Sequence, residues 1–584
     1  MKKSEEIMHH AISDNATCWG SDAIAETLQA LDLNYIAINP GASYRGLHDS
    51  LVNMTHDDPR LLLCVHEESA VAIAHGYAKI TGRAMGVALH ANVGLMHGTM
   101  AIYNAWCDRV PMVVLGATGP VDASRRRSWI DWIHTSQDQG ALIRDFVKWD
   151  DQPGGLSATL HSLIEATARA NTAPCGPTYV NIDTSIQEAP LETATPDLDI
   201  ARRGAPMSGA PAPSLMSEAL QLLTEARRVV FLMGRLSRSD VDWQRRIALV
   251  ERLGAVVVTD FKTGATFPSS HRANVGRAGY FPDTEAKAAI ADADVIVNLD
   301  WIDFGGTLRA VFGDGPVPAK IISATLDQHS SRGWVKDGGA PAPADISFLN
   351  APDQVVAAVH EALGNPPSDP LPACPEPARV TEEPMTPQDI AALLRDGIGN
   401  RPSCLIRAPL SWTGEDWPVD HPLGTLGYDG GGGVGSGPGM AVGAALALRD
   451  AESPLLPLAV LGDGDFLMSA SALWTAVNQK VPLLVVIINN RSFYNDEVHQ
   501  EAIAKARGRP VENKRVGIVM DEPDIDISAI AQGFGVTSYG LLRSPETVRS
   551  ALTDAIGVVR DGGVALLEIE AAKGYAPSMV QSMR

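Results

Sequence analysis

The sequence predicts an α/β protein built from three doubly wound parallel-sheet domains in series. Short apolar runs alternate with helical stretches along the chain, and the runs are apolar throughout rather than at every second residue. Both features mark strands covered on two faces by crossover helices. Two segments dense in proline, glycine or charge interrupt the alternation, ATPDLDIARRGAPMSGAPAP at 194–213 and GNPPSDPLPACPEPARVTEEPMTP at 364–387. Proline removes a backbone donor and fixes φ, so these segments read as linkers. The expected domains are therefore 1–193, 214–363 and 388–584, which suits 584 residues at roughly 100 to 200 residues per domain.

The first domain shows LLLCV (61–65), MGVAL (85–89) and PMVVLG (111–116), separated by helical stretches such as SAVAIAHGYAKITG. The second repeats the pattern in RRVVFLMG, LGAVVVTD and ADVIVNLD, and the third in PLLPLAVLGDGD, VPLLVVIINN and VALLEIEA. Hydrophobic residues make up 45% of the chain and charged residues 20%, enough apolar side chain for several packed cores, so disorder is not expected. The net charge of −22 opposes a nucleic-acid partner, since phosphate binding needs a basic footprint.

Cys18, Cys64, Cys107, Cys175, Cys374 and Cys404 lie far apart with no CxxC pair, which points to free thiols in a reducing compartment. MKKSEEIMHH is followed by polar AISDNATC, so no signal-peptide core is read there, and no apolar run reaches bilayer length. A cytoplasmic location and no membrane partner are the expectations.

The chemistry concentrates in residues 461–490, LGDGDFLMSASALWTAVNQKVPLLVVIINN. The order is strand, glycine turn, helix, strand, asparagine pair. Gly462 and Gly464 permit a tight turn at the carboxyl end of a strand, where open parallel sheets bind ligands, and a helix N-terminus beside it offers free N–H groups to a diphosphate. Asp463 supplies an anionic oxygen and Asn490 a neutral one, both suited to Mg²⁺, which prefers oxygen ligands and bridges carboxylate to phosphate.

GDG, some two dozen residues and then NN resembles the signature of the thiamine diphosphate family of acetolactate synthase, pyruvate decarboxylase and benzoylformate decarboxylase. The resemblance implies thiamine diphosphate and Mg²⁺ as cofactors. Asp463, Asn490 and the backbone carbonyl of Ser492 would be the metal ligands, and Gly462, Asp463, Gly464 and Asp465 would form the diphosphate turn. In VHEESAVAIAHGYAKITG the resemblance places Glu67, in preference to its neighbour Glu68, as the carboxylate that activates the cofactor's aminopyrimidine. LHANVGLMHGTMAIYNAWCDRVPMVVLG is similar without gaps to the benzoylformate decarboxylase stretch, which makes His90 the candidate for handling protons on the reacting carbonyl. NPGAS (39–43) is similar to the family's NPGS-type turn, so Gly41 through its backbone, or Ser43, is expected to touch substrate. By alignment of DGGGGVGSGPGMAVGAALA, Val434 would prop the bent cofactor, although the family more often has Met, Leu or Ile there.

Glu497, seven positions beyond Asn490, is a further candidate acid or base, and an exposed helix-start carboxylate is the plain alternative. The middle domain has GRLSRSD after a strand but no GxGxxG, so a dinucleotide is not indicated. The resemblance also implies a homodimer or homotetramer with active sites at the subunit interface. The reaction expected is carbon–carbon cleavage beside a carbonyl in a 2-oxo acid. Its alternatives are a 2-hydroxyacyl-CoA lyase similar to oxalyl-CoA decarboxylase, for which Arg125, Arg126 and Arg127 would meet CoA phosphates, and an acetolactate synthase-like carboligase. A silent cofactor-binding regulator on the same fold stands behind these three.

Overall fold

The computed structural model describes residues 18–191, 198–326, 342–364, 384–428 and 430–574. Cys374, residues 194–197 of the first proline-rich segment and 365–383 of the second lie outside them. Among the described residues there are three sheets, and every strand pair in them is parallel.

The first sheet holds β1 (Tyr35–Ile38), β2 (Arg60–Leu63), β3 (Met85–Leu89), β4 (Met112–Thr118), β5 (Trp149–Asp151) and β6 (Pro177–Asp183) in the order β2-β1-β3-β4-β6-β5. The second holds β7 (Val229–Met233), β8 (Val256–Thr259), β9 (Val295–Leu299), β10 (Lys320–Ala324) and β11 (Ile346–Phe348) in the order β11-β10-β9-β7-β8. The third holds β12 (Ser403–Arg407), β13 (Leu456–Gly462), β14 (Leu483–Asn489), β15 (Thr537–Leu542) and β16 (Val564–Glu570) in the order β12-β13-β14-β16-β15.

The α/β class read from the sequence therefore holds, and for the reason given. Strands β3, β4, β7, β9 and β14 are buried along their whole length, as both-face coverage demands. Short strands were the hard ones to foresee: β5 and β11 have three residues each, too few to show a period.

By spatial grouping the chain forms two compact units, and each is described by itself. One comprises 1–207 with 429–447 and 471–479, and the other comprises 208–428, 448–470 and 480–584. In the first unit, α1 (Gly20–Ala30), α2 (Arg45–Asn53), α3 (Glu67–Thr81) and α4 (Ala91–Cys107) follow or flank the early strands. Helix α3 is buried over most of its length and ends on Gly82 in the left-handed conformation, a C-terminal stop that glycine adopts without steric cost.

Residues of the helix Gly437–Asp450 belong to this unit because they cross α3 almost backbone to backbone. A β-carbon on Gly439 would collide with the Ala72 Cβ at 2.6 Å, and one on Gly76 or Gly443 would overlap the backbone of Met440 or Ile73. Interhelical approach this close excludes side chains at the crossing.

The C-terminal end of α4 is pinned by a buried charge cluster. Asp108 Oδ2 lies 2.9 Å from His75 Nε2 and 2.5 Å from Lys79 Nζ. Burial works against the Asp108 charge, but Lys79 and His75 outweigh it and hold the carboxyl well below the usual carboxylate range. Losing one member of such a cluster leaves an uncompensated buried charge, at a cost of about 3–5 kcal/mol.

The described cysteines are free thiols, and burial pushes Cys64 and Cys404 up to about 12. No described helix is long and apolar enough to cross a membrane.

Candidate functional site

Two clusters of sequence-selected residues form, one in each unit. The first lies where β1, β3 and β4 end. Glu67 opens α3, 7% exposed, with His66 as the N-cap residue whose Nδ1 accepts the Glu68 N–H at 3.1 Å. A carboxylate in the first helical turn is stabilised by the unpaired N–H groups there. Glu67 Oε2 also lies 3.1 Å from His97 Nδ1 on α4. Gly94 on α4 makes room, since a β-carbon there would sit 3.3 Å from Glu67 Oε1.

The His97 ring stacks on His66 at 5.3 Å, and its side chain is 54% exposed. Ligand atoms of His66, Glu67 and His97 fall within 4.8 Å of one another. Because His66 Nδ1 already accepts a backbone N–H, the trio reads as a hydrogen-bonded cluster around the carboxylate rather than as three open ligands.

His90 occupies the N-cap position of α4 and is followed by Ala91 at φ 45°, a left-handed backbone that a buried alanine adopts only under constraint. Its ring is confined on two sides. A β-carbon on Gly41 would fall on the imidazole, so only glycine fits that turn, and Ser43 Oγ shares a hydrogen bond with His90 Nδ1. His134 meets His90 edge to face at 4.7 Å. Burial lowers the His90 pKa below the ordinary histidine value, His134 lowers it further, and Glu67 opposes both.

The glycine run before the helix Gly437–Asp450 lies against the end of α4. Asn104 Oδ1 accepts the Gly433 N–H at 3.3 Å, and Asn104 Nδ2 donates to Ser436 Oγ at 3.0 Å. A β-carbon on Gly430 would sit 2.6 Å from the Asp108 backbone nitrogen, which is the close approach that consecutive glycines permit. Val434 projects from this loop, 40% exposed.

In the other unit, β13 and β14 end level, with Gly462 opposite Ile488. Gly462 caps the short helix Asp463–Ser469. Asp463 is 4% exposed and accepts N–H groups from Gly464 at 2.8 Å and from Ser492 at 3.2 Å. Burial raises its pKa, backbone N–H groups work the other way, and among the described residues no basic side chain forms an ion pair with it. A buried carboxylate with amide partners alone is short of positive charge.

The asparagine pair divides its labour. Asn489 turns into the sheet and donates to buried Glu568 at 2.7 Å, whereas Asn490 Oδ1 accepts the Ser492 N–H at 3.0 Å beside the Asp463 turn. Arg491 between them has φ 55°, the bend that returns the chain toward Asp463. A β-carbon on Gly464 would sit 2.5 Å from the Phe493 ring. Asp465 faces Arg407 with Oδ2 3.6 Å from Nε, and Arg407 lies 3.8 Å from the Tyr428 ring centroid.

Glu497 is 2% exposed, not an exposed helix-start residue, and is bound by Ser492 Oγ and Lys573 Nζ. Burial opposes its charge, but those two hydrogen bonds prevail and lower its pKa.

Sequence reasoning passed over His97 and His134. His97 had a usable signal, since it stands three residues after Gly94 on one helical face. His134 had none, because it reaches His90 from a loop more than forty residues away.

Three parallel-sheet domains, with a glycine–aspartate turn on one sheet edge and a helix-start glutamate on another, define a coenzyme-dependent enzyme of the thiamine diphosphate class. The family comparison names it. Residues 18–142 match the thiamine pyrophosphate enzyme N-terminal TPP binding domain, 216–329 the central domain and 410–569 the C-terminal TPP binding domain. The chain belongs to the thiamine pyrophosphate enzyme family.

It is 26% identical over 526 residues to benzoylformate decarboxylase of Pseudomonas aeruginosa, covering 86% of this chain and 91% of the relative. It is 25% identical over 554 residues to the acetolactate synthase large subunit of Corynebacterium glutamicum, covering 91% and 83%. Among solved structures, 4-hydroxybenzoylformate decarboxylase of Rhodococcus jostii RHA1 superimposes with TM-score 0.77 at 22% identity, over 96% of this chain and 100% of that one. Benzoylformate decarboxylase of Polynucleobacter necessarius does so with TM-score 0.78 at 19% identity and the same coverage.

Proposed function

We propose that this chain is a thiamine diphosphate- and Mg²⁺-dependent lyase that cleaves the bond beside the carbonyl of a 2-oxo acid, releasing carbon dioxide. The observation that carries the decarboxylase reading is His90, confined by Gly41, Ser43 and His134 on the sheet edge that also bears Glu67. A half-buried histidine whose pKa is lowered by burial and by a neighbouring imidazole suits proton exchange with a reacting carbonyl.

The donor set fits the cofactors. Asp463, Asn490 and the Ser492 carbonyl offer oxygen only, and the Asp463 carboxylate lacks a basic partner, which is the chemistry of a hard-cation site. Gly462, Gly464 and the helix start at Asp463 would take the diphosphate. When bound, thiamine diphosphate supplies a carbon nucleophile and an electron sink for the bond that breaks.

Glu67 would hold a proton at the aminopyrimidine nitrogen, and Val434 would bear on the cofactor's bend. Glu497, kept ionised by Lys573, would act through the Ser492 hydroxyl, and Asp465 would order Arg407 beside the turn. Ser43 and the Gly41 backbone would orient the substrate carbonyl with His90. The proposal includes the domain limits 1–193, 214–363 and 388–584, and a homodimer or homotetramer with the site completed at the subunit interface.

Arg126 donates to Pro120 and Val121 carbonyls and Arg127 pairs with Asp131 at 2.8 Å, so two of the three consecutive arginines serve their own loop and lend the CoA reading no support. A turnover screen with thiamine diphosphate and Mg²⁺ tests the proposal. Carbon dioxide release from an aryl or alkyl 2-oxo acid supports it. Acetolactate formation, acyl-CoA cleavage or silence on all substrates overturns it in favour of the corresponding alternative.

A further inference from the structure

We infer that His134 is a positioning residue for His90, and that the two rings with Ser43 act as one unit that orients His90 for proton exchange with substrate. The inference rests on the proposed role of His90 and assigns a part to a residue outside every motif.

The geometry begins with how His134 is held. The segment after β4 is pinned at both ends. Asp131, buried, accepts the Arg127 N–H at 2.7 Å and pairs with the Arg127 guanidinium, while buried Gln139 donates to the Ala117 carbonyl at 3.2 Å. Between these anchors, Asn92 on the first turn of α4 donates to the Ile133 carbonyl at 3.4 Å, which ties the residue before His134 to the residues just after His90. The T-shaped ring contact at 4.7 Å is thus fixed from both segments.

Three directions then decide the state of His90. Ser43 occupies Nδ1, which leaves Nε2 as the nitrogen without a described protein partner. His134 stands against the ring face, and two imidazoles this close disfavour carrying two positive charges. Glu67 at the start of α3 pulls the other way, but its carboxylate is engaged by His97. Of the charged groups nearest His134 on this segment, Asp131 pairs with Arg127 and Asp138 with Arg144, while Asp122, Arg125 and Arg126 lie at its far end, where Asp122 accepts from Ser124 and Arg126 donates to loop carbonyls. A neutral His90 with a free Nε2 can take a proton or return one, and a charged His90 can only donate.

The signs follow. The His90 pKa is already lowered, so the neutral form persists to lower pH than for an ordinary histidine. Removing the titratable His134 ring takes away one lowering influence, so His90 should protonate at higher pH.

The test uses full-length His134→Gln and His134→Phe, the second keeping an aromatic edge without a charge. Titration of ¹⁵N-labelled histidines in the cofactor-free protein, with His90 assigned by its loss in His90→Gln, should show His90 titrating at higher pH in both variants. The acid limb of kcat/KM should move the same way, while thiamine diphosphate affinity stays within about twofold. A purely structural role predicts unchanged curves, and coincidence of the His90 titration in both variants with wild type overturns the inference. Full turnover by His90→Gln would instead overturn the underlying reading of His90, and the cofactor-free titration separates the two failures.

Discussion

The carboxyl edges of the first and third sheets offer a ligand different things. At the first, His97 and His66 flank the Glu67 carboxylate, and His90 packs against His134 and hydrogen-bonds to Ser43. At the third, the Asp463 carboxylate is met by backbone N–H groups, with Asn490 Oδ1 on the same Ser492 N–H and, among the described residues, no ion-pair partner. The proposed function gives the first edge the proton handling and the third the binding of charge.

The contrast breaks most visibly at Glu67. Glu67→Gln should lower turnover by about a thousandfold, within the range for removing a proton-handling group, while thiamine diphosphate binding and the thermal transition stay near wild type. Cofactor titration by fluorescence quenching beside a rate assay separates the two. Loss of binding instead of rate would show that the first edge also grips.

Asp463→Ala should give the opposite signature. Cofactor affinity at fixed Mg²⁺ should fall about a hundredfold, or ~2.7 kcal/mol, with a smaller change in rate at saturating cofactor. The smallest expected effect is at Glu497. Because Lys573 keeps its charge fixed, Glu497→Gln should cost about three- to tenfold in kcat and leave the pH profile in place. A moved pH limb in that variant would mean that the third edge handles protons too.

The third edge was far more legible in the sequence than the first. Strands β13 and β14 are continuous apolar runs that end in glycine and asparagine, so strand, turn and ligand were readable from one contiguous stretch. Which asparagine faces the turn was given by family resemblance, and the physical reason appears only in three dimensions: Glu568 captures the side chain of Asn489. At the first edge, Glu67 and His90 stood in recognisable motifs, yet what sets their behaviour did not. His134 arrives on a loop whose anchors, Asp131 and Gln139, are polar residues with no periodic signature. Glu497 was ambiguous for the same reason, since its burial depends on Lys573, 76 positions away.

The glycine crossing of α3 with the helix Gly437–Asp450 bears on how such a protein can be altered. Helix α3 starts with Glu67, and its waist is wedged against another backbone at Gly76, Gly439 and Gly443 with no slack as wide as a methyl group. That seam acts as a datum surface, the fixed face from which every other dimension of the first edge is set. Substitutions along the keel on which the glutamate rides have almost no room to be absorbed.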